Sequence, residues 1–254
     1  MLDILQIPVL NDNYIYLIHE SDSDETVAID PAVSEPVIET LKQQGWQLTY
    51  IFNTHHHADH VGANLALKQQ THCKIIGSAA DQQRIPGIDK GVKEGDHLKL
   101  GTYTLQVIEC PGHTTDHIAF YMPAADALFC GDTLFAMGCG RLFEGTAAQM
   151  QHSLSKFTAL PLNTKIYCAH EYTAANAQFA KSVEPENKDL IETIARVKQL
   201  RANKQATVPT TLAQELATNP FLRPHSPEIQ AILNMSGASE LAIFTELRER
   251  KNHF

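Results

Sequence analysis

The sequence predicts a mixed α/β domain followed by a helical C-terminal unit, and three observations carry that prediction. Short β-branched or aromatic runs alternate with turn residues from the N-terminus to about residue 170, the pattern of strands in a sheet. Only a few stretches of that region have helical spacing. After Glu171 strand formers thin out, and Ala, Glu, Lys, Gln and Leu recur at helical intervals.

In chain order, strands are expected at Ile4 to Ile7, Tyr14 to His19, Thr26 to Ile29, Thr49 to Asn53, Lys74 to Gly77, Leu105 to Glu109, Ile118 to Tyr121, Ala127 to Cys130 and Ile166 to Cys168. Helices are expected at Glu35 to Gln44, Gly62 to Gln70 and Ala147 to Ala159, then at Asn187 to Lys204, Leu212 to Ala217 and Ser239 to Arg250. No fixed-period repeat, Gly/Ser linker or low-complexity tract separates the two parts, so the helical unit is expected to pack directly on the first domain and help form its site. The expected domains are 1–172 and 173–254.

A chain of 254 residues with 43% hydrophobic content can bury a full core, and single cores seldom grow beyond about 250 to 300 residues. Met1-Leu2-Asp3-Ile4 shows neither a basic leader nor an uninterrupted apolar stretch, so a cytoplasmic protein without signal peptide or membrane span is expected. The five cysteines, Cys73, Cys110, Cys130, Cys139 and Cys168, lie far apart and form no Cys-x-x-Cys pair, which predicts reduced, buried thiols. A net charge of −9 argues against nucleic acid as a partner, because a polyanion needs an electropositive surface. A monomer acting on a small molecule is expected.

The decisive segment is Thr54-His55-His56-His57-Ala58-Asp59-His60, directly after the apolar strand Tyr50-Ile51-Phe52. In an extended loop alternate side chains share a side, so His55 and His57 converge while His56 points elsewhere. Imidazole nitrogen and carboxylate oxygen suit zinc, iron or manganese. The bland alternative is a solvated His-rich loop. Three later positions weaken it: His113, Asp132 and His170 each follow an expected strand, and strand ends along one sheet edge can meet in space.

One structural zinc needs four ligands, whereas seven candidates are present with no cysteine among them. Two ions are therefore expected, with His55, His57 and His113 on the first, Asp59, His60 and His170 on the second, and Asp132 bridging. Two divalent ions, zinc by preference, with iron or manganese as alternatives, can share a hydroxide available near neutral pH. Asp59 and Asp132 are the expected catalytic carboxylates beside that hydroxide, so no Ser or Cys nucleophile is needed and Ser78 and the cysteines are discounted. Asp30, His56 and His117 are expected at most in the outer shell, where metal-bound imidazoles find acceptors for their second N–H.

At these residues the sequence resembles the metallo-β-lactamase superfamily: the Thr-His-x-His-x-Asp-His segment, Pro111-Gly112-His113-Thr114, Gly131-Asp132-Thr133-Leu134-Phe135 and Ala169-His170-Glu171-Tyr172-Thr173. Within it the chain resembles glyoxalase II, the hydroxyacylglutathione hydrolases, through Gly138-Cys139-Gly140-Arg141-Leu142-Phe143-Glu144-Gly145, Asn219-Pro220-Phe221-Leu222-Arg223 and Arg248-Glu249-Arg250-Lys251-Asn252-His253-Phe254. The resemblance implies a four-layer αβ/βα metallo-β-lactamase sandwich with a C-terminal helical domain that binds substrate. It implies hydrolysis of S-D-lactoylglutathione to glutathione and D-lactate, in detoxification of methylglyoxal. It also implies glutathione contacts at Arg141, Phe143, Tyr172, Arg248 and Lys251. Many relatives have Lys and Tyr where this chain has Arg141 and Phe143; Arg keeps the charge with another geometry, and Phe cannot donate a hydroxyl hydrogen bond.

Within the same fold the rival reading is a glutathione persulfide dioxygenase using a single iron, which oxygen uptake would separate. A β-lactam hydrolase is disfavoured because its best-known group uses a Cys ligand, and an RNA-processing nuclease because the composition lacks a basic groove. A non-enzymatic metal-stabilised module would show no turnover.

Overall fold

A computed structural model describes residues 1–254, and by compactness the chain divides into two units. The first comprises Met1–Glu109 with Asp116–Gly131, the second Cys110–Thr115 with Asp132–Phe254.

In the first unit Leu2–Val9 (β1) and Asn13–Glu20 (β2) form an antiparallel hairpin in register from Leu2 opposite Glu20 to Val9 opposite Asn13. β2 is buried at every position, as its run Tyr-Ile-Tyr-Leu-Ile requires of an inner strand. Glu25–Ile29 (β3) pairs antiparallel with β2, and the chain then turns to parallel pairing. Parallel strands need long crossovers, and Ser34–Gln44 (α1) supplies one before Tyr50–Phe52 (β4). After it come Ala58–Val61 (α2), Asn64–Thr71 (α3), Lys74–Ser78 (β5) and Lys90–Val92 (β6), completing a six-stranded sheet in sequence order. The remaining strands, His97–Leu100 (β7), Tyr103–Glu109 (β8), Ile118–Met122 (β9) and Ala127–Gly131 (β10), pair antiparallel in sequence.

Each face of the six-stranded sheet has its own apolar partner. On one, Val37 and Leu41 of α1 and Leu67 of α3 pack with Leu17, Ala28, Ile51 and Ile75. On the other, the Tyr16 ring lies 5.6 Å from Phe129 and the Phe52 ring 5.2 Å from Phe120, so the strands β7 to β10 form a second sheet against it. Buried aromatics of this size each contribute roughly 1.5–3 kcal/mol.

The second unit holds the two-stranded hairpin Leu134–Phe135 (β11) and Gly138–Cys139 (β12). Ala147–Thr158 (α4) starts at Thr146, which with Gln149 makes a reciprocal capping box. Lys165–Cys168 (β13) precedes Thr173–Val183 (α5) and Lys188–Ala202 (α6), and pairs antiparallel with Thr210–Thr211 (β14). The unit closes with Leu212–Thr218 (α7), Pro227–Ile232 (α8) and Glu240–Asn252 (α9). Its core includes Met137, Ala177, Ala180, Leu190 and Val197. No helix of the chain is long and apolar enough to cross a membrane.

A buried carboxylate anchors part of this unit. Glu215 on α7 accepts hydrogen bonds from the Met137 N–H (2.7 Å), the Thr210 hydroxyl (2.8 Å) and Asn219 Nδ2 (2.9 Å). Burial pushes its carboxyl up from an ordinary value of 4.5 to about 7, against the pull of those three donors. Because the folded state binds the proton more tightly, this stability is fully present below pH 4.5 and is lost as pH rises to 7. Glu215→Gln, neutral throughout, is therefore expected to be more stable than the wild type at pH 8 by at most about 3 kcal/mol, and to show no gain at pH 4; urea melts at both pH values check this.

The sequence reading placed a helix at Gly62 to Gln70. The structure instead starts a one-turn helix at Ala58 and a second at Asn64, which places Asp59 and His60 on a helix rather than in the extended loop. The strands β6, β7, β11, β12 and β14 and the helices α5 and α8 were not expected.

Candidate metal centre

The His55 loop leaves β4 and ends on α2 inside the first unit. The His55 Nε2 and His57 Nδ1 atoms lie 3.0 Å apart, while the His56 ring is turned away and its Nδ1 lies 2.9 Å from the buried carboxylate of Asp81. Arg84 pairs with Asp81, approaches His56 Nε2 at 3.3 Å and reaches Asp116 at 3.0 Å. The middle histidine is thus the fixed point of the loop that carries its two neighbours. Asp59 and His60 follow on α2, with Asp59 Oδ2 accepting from Asn13 Nδ2 at 3.0 Å and lying 3.6 Å from His60 Nε2.

Asp30 supports this set from below. Its carboxylate accepts from the Thr54 N–H (2.8 Å), the Thr54 hydroxyl (2.6 Å) and His60 Nδ1 (2.9 Å). Ligand atoms of Asp30, His55 and His60 all lie within 4.8 Å of one another. His117 stacks on His55 with ring centroids 4.7 Å apart. Gly131 allows the close approach above the loop: at its φ of 49° a side chain is strained, and a Cβ would sit 2.4 Å from Thr54 Oγ1 and 2.9 Å from His117 Cε1.

The second unit gathers its own three residues. His113 Nε2 lies 3.4 Å from one Asp132 oxygen and His170 Nε2 lies 3.3 Å from the other. All three side chains are buried. His113 Nδ1 donates to the Arg141 carbonyl at 2.8 Å, and since a carbonyl only accepts, Nδ1 carries the hydrogen. Nε2 is then the nitrogen that His113 turns toward the Asp132 carboxylate, and a cation between the two would be held by both. His60, whose Nδ1 faces Asp30, presents Nε2 to Asp59 in the same way.

Around this second set, the Tyr172 ring stacks on His170 at 4.7 Å and 3°, and Phe135 packs edge-on to both. Phe143 is 60% exposed, with its ring 5.2 Å from His113 and 5.9 Å from the Arg141 guanidinium. Arg248 and Lys251 behave differently from each other. Arg248 is 5% exposed, donates to the Cys139 carbonyl at 2.8 Å and lies over the Phe221 ring at 5.1 Å. Lys251 Nζ is half-buried between the Phe179 and Phe254 rings at 5.5 and 5.3 Å, and burial and then the Arg248 charge lower its pKa.

Two family models divide the chain between them. Residues 10–170 match the metallo-beta-lactamase superfamily and residues 171–254 match the hydroxyacylglutathione hydrolase C-terminus. The hydroxyacylglutathione hydrolase of Methylococcus capsulatus is 56% identical over 254 residues, covering 100% of this chain and 99% of that protein. The chain belongs to the hydroxyacylglutathione hydrolase family. The Maricaulis maris member is 49% identical over 251 residues, covering 99% of this chain and 98% of its own. Among solved structures, ETHE1 from Myxococcus xanthus superposes with a TM-score of 0.70 at 26% identity, covering 98% of this chain and 91% of that one. The fold is the metallo-β-lactamase fold with mixed sheets and a C-terminal helical domain.

The donor chemistry of this family member fits divalent metal ions. Two imidazole nitrogens about one tetrahedral ion at 2.0–2.1 Å stand about 3.3 Å apart, close to the 3.0 Å between those of His55 and His57. Asp132 turns separate oxygens toward separate imidazoles, so both of its oxygens face nitrogen donors. The five cysteines are buried, and the clusters of candidate ligand residues are built from His and Asp alone.

Sequence reasoning missed Asn13, Asp81 and Arg84. Asn13 had a signal, a polar residue opening the apolar run Tyr14 to Ile18. Asp81 and Arg84 had none, since a short-range charge pair in a turn resembles any solvated surface.

Proposed function

We propose that the chain hydrolyses S-D-lactoylglutathione and related 2-hydroxyacyl-glutathione thioesters to glutathione and a 2-hydroxy acid. The 56% identity along the whole chain to the hydroxyacylglutathione hydrolase of Methylococcus capsulatus carries this reading, and the match of residues 171–254 to the hydroxyacylglutathione hydrolase C-terminus supports it. In the proposed centre His55, His57 and His113 hold one divalent ion, Asp59, His60 and His170 hold another, and Asp132 is common to both; zinc is the proposed metal. Such ions supply a water of near-neutral acidity and polarise the thioester carbonyl.

The residues do the rest. Asp132 and Asp59, the latter steadied by Asn13, orient the attacking water, and Asp59 takes its proton. The water oxygen bonds to the thioester carbon, the C–S bond breaks with its electron pair on sulfur, and the proton passes to the leaving thiolate or to solvent. The His60 to Asp30 and His113 to Arg141 hydrogen bonds hold each imidazole with Nε2 available.

Residues 1–172 are the proposed catalytic domain and 173–254 the proposed substrate-binding domain. Tyr172 and Phe143 offer ring faces and Arg141 and Lys251 offer charge to the glutathione carboxylates. Arg248 contributes by holding Cys139 and Gly140 in place beside Arg141. Lys251→Ala is expected to raise KM by roughly 3- to 10-fold with little change in kcat; steady-state kinetics over a substrate series check this, and an unchanged KM rejects the assignment. The proposal includes a monomer in the cytoplasm, within methylglyoxal detoxification.

The test pairs two measurements on one preparation: thiol release from S-D-lactoylglutathione, and elemental analysis. Thiol release with two metal equivalents supports the reading. Oxygen uptake on glutathione persulfide with one iron and no thioester turnover replaces it with a dioxygenase.

A further inference from the structure

We infer that Glu215 is a positioning residue for the metal centre, acting through the hairpin β11–β12 and the Asp132 segment that leads into it. The inference rests on the reading of Asp132 as a metal ligand. It starts from an oddity: a fully buried carboxylate on α7 with no cation among its hydrogen-bond donors. Burying a charge in this way is costly, and a glutamate used only for packing is replaceable by an apolar side chain.

What the carboxylate holds is specific. One oxygen receives both the Met137 N–H and Asn219 Nδ2, and the other receives the Thr210 hydroxyl. Asn219 Nδ2 in turn donates to the carbonyls of Phe135 and Gly138 at 3.1 and 2.9 Å. Together Glu215 and Asn219 engage backbone groups of three of the four residues 135 to 138. The turn is small: Met137 sits at a φ of 55°, and the strands on either side of it are two residues long. Asn176 completes the grip on the Ala136 carbonyl at 3.1 Å.

The gripped hairpin touches the centre at both ends. Asp132 lies two residues before β11, and Gly140, immediately after β12, donates its N–H to the Thr133 carbonyl at 3.2 Å. Gly140 lies so close to Asp132 that a Cβ there would meet the Asp132 carbonyl oxygen at 2.0 Å. In the middle, the Phe135 ring packs on His170 and Tyr172. A shift of the turn at Met137 therefore moves the backbone of one ligand and the ring against which a second ligand rests.

The carboxylate geometry also predicts which replacement survives. In Glu215→Gln the amide oxygen can accept from Met137 and Asn219 while the amide nitrogen donates to the Thr210 hydroxyl, which can turn to accept. Glu215→Leu fills similar space and leaves the buried Met137 N–H without its acceptor.

Metal affinity, measured by chelator competition, and kcat and KM for S-D-lactoylglutathione test this. Partners that orient metal ligands typically cost 10- to 100-fold when removed, so Glu215→Leu is expected to lose about that factor in metal affinity and in kcat with KM within about twofold. Glu215→Gln is expected to stay within about twofold on all three. A folded Glu215→Leu with unchanged metal affinity, or a Glu215→Gln as damaged as the Leu variant, overturns the inference; a purely structural role moves only the melting temperature. If Glu215→Leu fails to fold, Asn219→Ala, which frees the Phe135 and Gly138 carbonyls, carries the same expectation. Amide exchange needs no variant: rapid exchange of the Met137 N–H in the unaltered protein also overturns it. Failure of the underlying reading looks different, since Asp132→Ala would then keep its metal whatever Glu215 does.

Discussion

Asp132→Ala is expected to abolish thioester hydrolysis and to lower the metal content of the purified protein. Asp132 offers one oxygen to His113 and the other to His170, and its removal leaves two imidazoles without the anion they share. Loss of the bound ions returns the attacking water toward its ordinary acidity, a change worth at least about 10³-fold in rate at neutral pH. Thiol release and elemental analysis of the same sample check both halves. A variant that keeps two metal equivalents and wild-type turnover sinks the assignment of the centre.

The second large effect is expected at a residue that need not touch the substrate. Asp30→Ala deletes the acceptor of His60 Nδ1, of the Thr54 N–H and of the Thr54 hydroxyl, all buried. Each buried donor left unmet costs roughly 1–3 kcal/mol. Asp30 also sits at a φ of 49°, a conformation that aspartate adopts more readily than alanine. A loss of several kcal/mol in urea denaturation is therefore expected, together with a 10- to 100-fold loss of metal affinity because His60 is no longer oriented. If the loss appears in stability but not in metal affinity, His60 is not held as a ligand.

The strands that build the first sheet were readable because each is an apolar, β-branched or aromatic run long enough to show, as in Tyr14 to Ile18 or Thr26 to Ile29. Lys90–Val92 and His97–Leu100 were not, since three or four residues carrying lysine and glycine or histidine show no periodicity, and pairing with neighbouring strands overrides weak local preference. The helix at Ala58 escaped because it is one turn long and opens on histidines and an aspartate selected for another purpose. The candidate ligand residues were legible because metal-binding chemistry favours His and Asp at close spacing. Their supports were not: Asp81 holds His56 from 25 residues away, and Glu215 reaches Met137 across 78 residues. Contacts of that separation leave no pattern in a linear window.

The burial of all five cysteines has a bearing on how such a catalyst survives its own product. Every turnover of the proposed reaction liberates a mercaptan, and a cell that oxidises that mercaptan exposes its proteins to mixed-disulfide formation. That exchange requires an accessible thiolate. Burial withholds all five thiols from such exchange and in Cys168 also pushes the thiol up to about 12, away from the anion. A rise in oxidised mercaptan around the protein therefore finds no exposed sulfur of this chain to attack.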